Sequence, residues 1–302
     1  RNFINLLNNK VNLKMFSIII PTYNNLDYLK LCISSIKKNS AFNHQIIIHI
    51  NDGSDGTLKY VQDNDIVHTH SIDNSGICTG CNNAATKAEL DYIVYAHDDM
   101  YFCPDWDTNL ANEIKKIKHN NFYLSGTMIK SGQIHDYNCG DDLDTFNEKK
   151  LLKDYKHLNF DDFQGSTWSP TLLPKSLWNE VGGFSEEYNP GTGSDPDLNM
   201  KLWQKGVRIF KGIGSSKVYH FGSIVTRQKK KKLKSKTETG SRGNKIFLLK
   251  WGITIKFFKK YYLLSDTKYY AELTDPKKSI KFYIDLFKCK LSFFYYLIFN
   301  KS

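Results

Sequence analysis

The sequence predicts an α/β chain built on a mostly parallel sheet with helices on both faces. Three observations carry this. Short runs rich in apolar or β-branched residues, "FSIII" (16–20), "QIIIHIN" (45–51), "DIVHTH" (65–70) and "DYIVYA" (91–96), read as interior strands. Helical patterns lie between them, most plainly Leu26, Leu29, Ile33 and Ile36 at three- and four-residue steps. Each run is followed by a polar cluster: "PTYN", "DGSDG", "NSG" and "HDD". Strands that alternate with helices and lack polar faces belong to sheets covered on both sides. In such sheets the ligand crevice lies beyond the carboxyl ends of the strands, where these clusters fall.

The first strand stops at Pro21, and the first helix runs to Asn39. The second strand ends in "DGSDG", and the third leads through "NSGICTGCNNAATKAE", a glycine loop and a helix, into the fourth. A helix at 107–119 and a strand at 122–129 follow, while the polar segment 130–163 has no assignable pattern. "PKSLWNEVGGF" reads as a short helix ended by glycines. "SDPDLNMKLWQKG" reads as a helix with Ser194 or Asp195 as N-cap, acids in its first turn and Gly206 as its stop. Two strand-like runs, "VRIFK" and "KVYHFGS", come next. The tail is aromatic and basic, with Ile280, Ile284, Phe287, Leu291, Phe294 and Ile298 on one helical stripe. That stripe is expected to dock on the chain's own core or a second subunit, or to lie in a membrane interface.

At 302 residues with 40% hydrophobic and 24% charged, the chain can bury a real core. Its net charge of +11 is concentrated in "RQKKKKLKSK" (227–236), so a local basic segment needs explaining rather than a basic protein. No stretch reaches the roughly twenty uncharged apolar residues of a membrane span. Six scattered cysteines without a secretory signal before them suggest a reducing, cytoplasmic setting, with peripheral contact at the inner membrane face a further expectation. "CTGC" (78–81) has metal-ligand or redox spacing but no second pair to complete a zinc site. The expected divisions are an extension at 1–14 and a catalytic domain at 15–226, in a donor half (15–125) and an acceptor half (126–226). A basic loop with a helical extension fills 227–302.

Taken in order, "FSIIIPTYNNLDYLKLCISSI", "INDGSDGT", "NSGICTGCNNAATKAELDYIVYAHDDM", "GGFSEEY", "SDPDLNMKLWQKG" and "VYHFGS" resemble the motifs of the family 2 glycosyltransferases. A later "KWG" recurs in some members. The resemblance implies the A-type glycosyltransferase fold and inverting transfer of a sugar from a nucleotide-diphosphate donor, UDP-linked by expectation, to a hydroxyl acceptor. It also implies Mn²⁺ or Mg²⁺ as cofactor and a carbohydrate or lipid-linked acceptor. Carried over by position, Pro21, Thr22 and Tyr23 would line the nucleoside pocket and Asp52 would bind the base, with Asn74, Gly76 and Asn82 also on the donor side. "HDD" stands at the Asp-x-Asp motif, so Asp98 would face the donor ribose or sugar and Asp99 would bind the metal with His220. His97 takes the motif's first acidic place. Asp195 would be the catalytic base, ionised and of low pKa at a helix N-terminus. Asp197 would support the helix and face the acceptor, beside Trp168 as a stacking platform. Cys81 stands where many relatives have arginine.

Two other readings compete. A nucleotidyltransferase would want a glycine-rich, basic phosphate loop after the first strand, and "PTYN" is not one. A nucleic-acid or anionic-surface binding protein would use 227–236 with a degenerate donor site. Nucleic acid is the less expected partner.

Overall fold

A computed structural model describes residues 14–166, 169–222 and 236–299, of which 236–241 and 299 are described by backbone alone. One nine-stranded sheet organises the chain, in the order β3-β2-β1-β4-β8-β6-β9-β5, with β7 also on β9. The strands β1 (Lys14–Tyr23), β2 (Asn43–Asn51), β3 (Val67–Ser71) and β4 (Tyr92–Tyr95) pair in parallel. They alternate with helices α1 (Leu26–Asn39), α2 (Thr57–Asp63) and α3 (Ile77–Ala85).

Beyond β4 the sheet becomes mixed. Strand β8 (Thr171–Pro174) runs antiparallel to both β4 and β6 (Phe122–Lys130), whereas β9 (Ile209–His220) runs parallel to β6. Strand β5 (Met100–Phe102) closes the edge antiparallel to β9, and β7 (Phe163–Gln164) pairs with Lys211 and Gly212. The two runs expected at 207–211 and 217–223 are one strand. Its register against β6 jumps between Ser125 and Thr127, which lets residues between Gly212 and Lys217 bulge outward. The bulge needs a glycine, because a Cβ on Gly214 would lie 1.8 Å from the Phe160 carbonyl oxygen.

Alternation along β1 sends Phe16, Ile18 and Ile20 to one face and Ile19 to the other. The first face packs against α1 and α4 (Trp106–Lys116) through Leu29, Ile33, Trp106 and Leu110. The second packs against α3, α6 (Lys175–Val181) and α7 (Ser194–Gln204). The C-terminal helices α8 (Lys236–Trp251), α9 (Ile255–Tyr261) and α10 (Ile280–Phe299) place Phe247, Phe258, Phe282 and Cys289 in that same second core. The tail therefore completes the main core. A small satellite of Tyr101, Ile129, Leu151 and Tyr219 underlies the irregular segment 131–158, whose one α-helix is α5 (Glu148–Asp154).

Candidate active site

The stretch "YAHDDM" leaves β4 at Tyr95, turns, and re-enters the sheet as β5 at Met100. Met100 pairs with His220 at the end of β9, and the Phe221 amide donates to the Asp99 carbonyl (3.1 Å). This register sets the Asp99 side chain against His220. Nε2 of His220 lies 3.2 Å from Asp99 Oδ1 but without the alignment of a hydrogen bond, while Nδ1 lies 3.4 Å from the Ser131 carbonyl. His97 meets His220 edge to face, ring centroids 5.4 Å apart, and its Nε2 is 2.9 Å from the Tyr95 hydroxyl. One donor atom each from His97, Asp99 and His220 lie within 4.8 Å of one another, a spacing that could hold a metal ion.

Adjacent acids in this turn are treated differently by their surroundings. Asp98 accepts a hydrogen bond from Thr22 Oγ1 (2.7 Å), yet burial and then the charge of Asp99 hold its carboxyl above the usual range. Burial pushes Asp99 the same way, but His220 and His97 outweigh it and the net direction is down. His97 is pushed down to about 4 by burial and then by His220, whereas Asp99 holds His220 up against its own burial.

On the opposite flank, Pro21, Thr22 and Tyr23 are the last three residues of β1, in register with His49, Ile50 and Asn51. Asp52 follows β2 at φ +64°. Asn24 Nδ2 and the Ser54 amide donate to its two carboxylate oxygens at 2.8 and 3.1 Å. Asn24, then Ser54, hold this exposed carboxyl below its ordinary pKa. The next loop is tied in by Asn51, whose Oδ1 accepts from both the amide and the hydroxyl of Ser75 (2.8 Å each). Exposed Asn74 accepts from the Gly76 amide (3.0 Å), and Gly76, at φ +88°, begins α3 where a Cβ would come within 2.4 Å of Asn189 Oδ1. Asn82, on α3, is engaged elsewhere in the chain. Its amide exchanges hydrogen bonds with the Phe184 backbone at 2.9 Å each way, so its polar atoms staple the "GGF" loop to α3. Cys81 is fully buried, packed in the second core.

Helix α7 carries the other acidic pair. Its N-cap is Gly193 at φ +93°, not Ser194 or Asp195; the Ser194 hydroxyl donates back to Gly191. Asp195 does not keep the low pKa expected of a helix start, because burial pushes it up to about 7. Its Oδ1 is buried without a partner among the described residues. Tyr95 and Tyr123 both feel its charge, and the Tyr123 hydroxyl, Thr171 Oγ1 and the Asn199 amide, one turn along α7, are likewise buried without an aligned partner. Asp197 is wholly enclosed. Trp251 Nε1 donates to its Oδ1 (2.8 Å), Ser185 Oγ to its Oδ2 (2.6 Å), and Lys250 Nζ lies 3.1 Å from Oδ1. Both oxygens are thus engaged within the chain, and the carboxylate ties α7 to α8. Trp168 and the basic run up to Ser235 lie outside the described residues, and of Lys236 only the backbone is described.

The sequence reading passed over Asn24, Tyr95 and Tyr123, and gave Lys250 and Trp251 no role. Asn24 had a signal as the asparagine closing "PTYN", and Lys250 and Trp251 had one as the first two residues of "KWG". Apart from this edge, a cavity of about 990 Å³ opens between β7, the β9 bulge and the α9–α10 connection, lined by Gln133, Lys156, Lys217 and Ser265 among others. Among the described residues, none of those nominated by the motifs lines it.

Comparison with known proteins gives a consistent result. The family described as Glycosyl transferase family 2 matches residues 17–169, half of the chain. The chain is 27% identical over 205 residues to a chondroitin synthase of Pasteurella multocida strain Pm70, and 26% over 205 residues to a hyaluronan synthase of the same species. Each match covers 64% of this chain and 19% of the relative, so the chain spans about a fifth of these curated relatives' length. Among solved structures, S. aureus TarS residues 1–349 superpose at a TM-score of 0.55 and 14% identity, covering 95% of this chain and 73% of that one. The same protein in complex with UDP-GlcNAc gives 0.53 at 13% identity, covering 94% and 73%. At these identities the structural likeness shows the fold, the A-type glycosyltransferase architecture.

Proposed function

The chain belongs to glycosyltransferase family 2, and from that premise we propose that it transfers a sugar from a UDP-linked donor to a hydroxyl of a carbohydrate or lipid-linked acceptor, with inversion. The observation that supports this most is two differently tuned acids linked through Tyr95, whose hydroxyl meets His97 and which feels the charge of Asp195: Asp99 beside two imidazoles, and Asp195 with an oxygen buried without a partner among the described residues. The relatives named for polysaccharide synthesis and the UDP-GlcNAc complex of TarS support the donor and acceptor classes.

The donor set fits a divalent cation. His220 Nε2 is buried without an aligned partner, and Asp99 is held ionised. Two imidazoles and one carboxylate suit Mn²⁺ better than Mg²⁺, which prefers oxygen ligands throughout. His97, Asp99 and His220 would hold the ion, and His97 thus gains a role as third donor. When bound, such an ion neutralises charge on the departing diphosphate. The protein does the rest. Asp52 and the end of β1 receive the nucleoside, with Asn24 fixing the Asp52 carboxylate. Asp98, braced by Thr22, faces the donor sugar side. Asp195 takes the proton of the attacking acceptor hydroxyl as the new carbon–oxygen bond forms on the face opposite the leaving group. The bond to the diphosphate breaks and its electron pair departs with the phosphate oxygen. A base poised near neutrality is better matched to this than an ordinary aspartate. Asn199 and Tyr123 form the polar floor beneath it.

Six free, buried cysteines support a cytoplasmic setting. The test is a thermal-shift panel of nucleotide sugars with and without Mn²⁺. A UDP-sugar at one hundred times its dissociation constant adds about 2.7 kcal/mol of stability. The reading fails if no sugar nucleotide stabilises the chain in the presence of Mn²⁺.

A further inference from the structure

We propose that the outer face of α10 is a docking surface for an anionic lipid bilayer, a property separate from the donor chemistry. The helix is apolar on two sides. Its inner face is spent: Phe282 packs on Phe257 and Tyr261, ring centroids 5.1 Å apart in each case, and Cys289 is buried against Thr254. The stripe of Ile280, Ile284, Phe287, Leu291, Phe294 and Ile298 points the other way, which corrects the expectation that it packs on the chain's own core. Ile280 is 82% exposed, Phe287 64% and Ile298 64%. Among the described residues, nine of the fifteen exposed large hydrophobic side chains sit on this one helix. An apolar concentration of that kind marks an interaction surface.

The charges choose the occupant. Steps of four and three residues along the stripe would also suit a helix pairing with a copy of itself. In that pairing the rim positions beside the seam decide compatibility, and here they hold exposed Lys281 and Lys288 on one side and Lys290 on the other. The one acid nearby, Asp285, is engaged by Lys260 (2.6 Å) and the Tyr261 hydroxyl (2.7 Å) and only loosely by Lys288, whose Nζ lies 3.9 Å away and stays largely exposed. A second copy would therefore bring lysines toward lysines with no acid on either rim. An anionic lipid surface is complementary to the same rim, and Lys277 and Lys278 just before the helix add to it. The fit is to an interface, not a span: among the described residues no helix is long and apolar enough to cross a membrane. Lysine stems reach from the helix flanks to the headgroups while the stripe enters the acyl boundary.

The experiment is co-sedimentation of the full chain with phosphatidylcholine vesicles containing or lacking phosphatidylglycerol. Binding is expected only to the anionic vesicles and is expected to fall with salt. Ile284→Ser/Phe287→Ser/Phe294→Ser should lower partitioning by about a hundredfold or more, and Lys281→Gln/Lys288→Gln/Lys290→Gln by about fivefold per lysine. Both sets of side chains are exposed, so melting temperatures should match the parent, and the lysine variant keeps the test decisive if the triple serine variant misfolds. Equal binding to both vesicle types, or no binding, overturns the proposal. So does a dimer seen by sedimentation velocity that the serine variant dissolves, since the face would then belong to a second copy.

Discussion

Two places in this fold each hold a close pair of aspartates, and the pairs are handled in opposite ways. At the end of β4, Asp98 and Asp99 share one turn and feel each other directly; Thr22 braces the first and His220 takes the charge of the second. At the start of α7, Asp195 and Asp197 diverge. Asp197 receives Ser185, Lys250 and Trp251, and Asp195 has a buried oxygen with no partner among the described residues. A carboxylate fully satisfied by its own protein has no capacity for a substrate, whereas one left short is unfavourable in the resting fold and available to a ligand. Residue type and spacing are nearly the same in the two places; what differs is which partners the tertiary fold delivers.

The comparison breaks first at turnover. Asp195→Ala and Asp99→Ala are each expected to reduce sugar transfer by about 10²–10⁴-fold or more with the melting temperature retained, measured by release of the nucleotide diphosphate. Near-parental rates for either variant would remove that residue from the chemistry. Asp197→Ala should behave in the reverse sense. It leaves Lys250 without its buried partner and the Trp251 indole without an acceptor, so a loss of about 3 kcal/mol of unfolding free energy in urea titration is expected. An Asp197→Ala chain as stable as the parent would mean that the α7–α8 tie contributes little.

Legibility followed the range of the interactions. Helix α1 spans the residues that its periodicity marked, and strands β1 to β4 appear where apolar runs stood, because those signals are local. Strand β5 has three residues and β7 two, too few to show a period, and β8 hides as "TLLP" against a proline. At the site, the acids were nameable from motif order, since "HDD" and "SDPD" are contiguous. Their division of labour was not. Asp197 is explained by Trp251, 54 positions away, and Asp99 by a register that pairs Met100 with His220. The amide of Asn82, named from the same motif order, meets the Phe184 backbone 102 positions on, which no local pattern signals. Pattern reading finds residues that can do chemistry, and long-range partners determine which of them are left able to.

The subtlest break separates strain from function at Asp195. Burial raises its carboxyl from the ordinary range to about 7 in the folded chain, while in the unfolded chain it titrates near the usual aspartate value. Between those two values the folded state holds a proton that the unfolded state has lost, so stability from this group is present at low pH and is lost as pH rises through about 7. Asparagine has the same shape and no charge to bury. Asp195→Asn should therefore be inactive yet more stable than the parent at about pH 8, by roughly 2 kcal/mol once partial exposure is discounted. The gain should shrink toward zero near about pH 4, as the parent's carboxyl stays protonated in the fold. Urea titrations of both chains at the two pH values measure it. A gain of the same size at both would trace to packing, and a loss at about pH 8 would mean that the Asp195 carboxylate has partners in solution that the fold does not reveal.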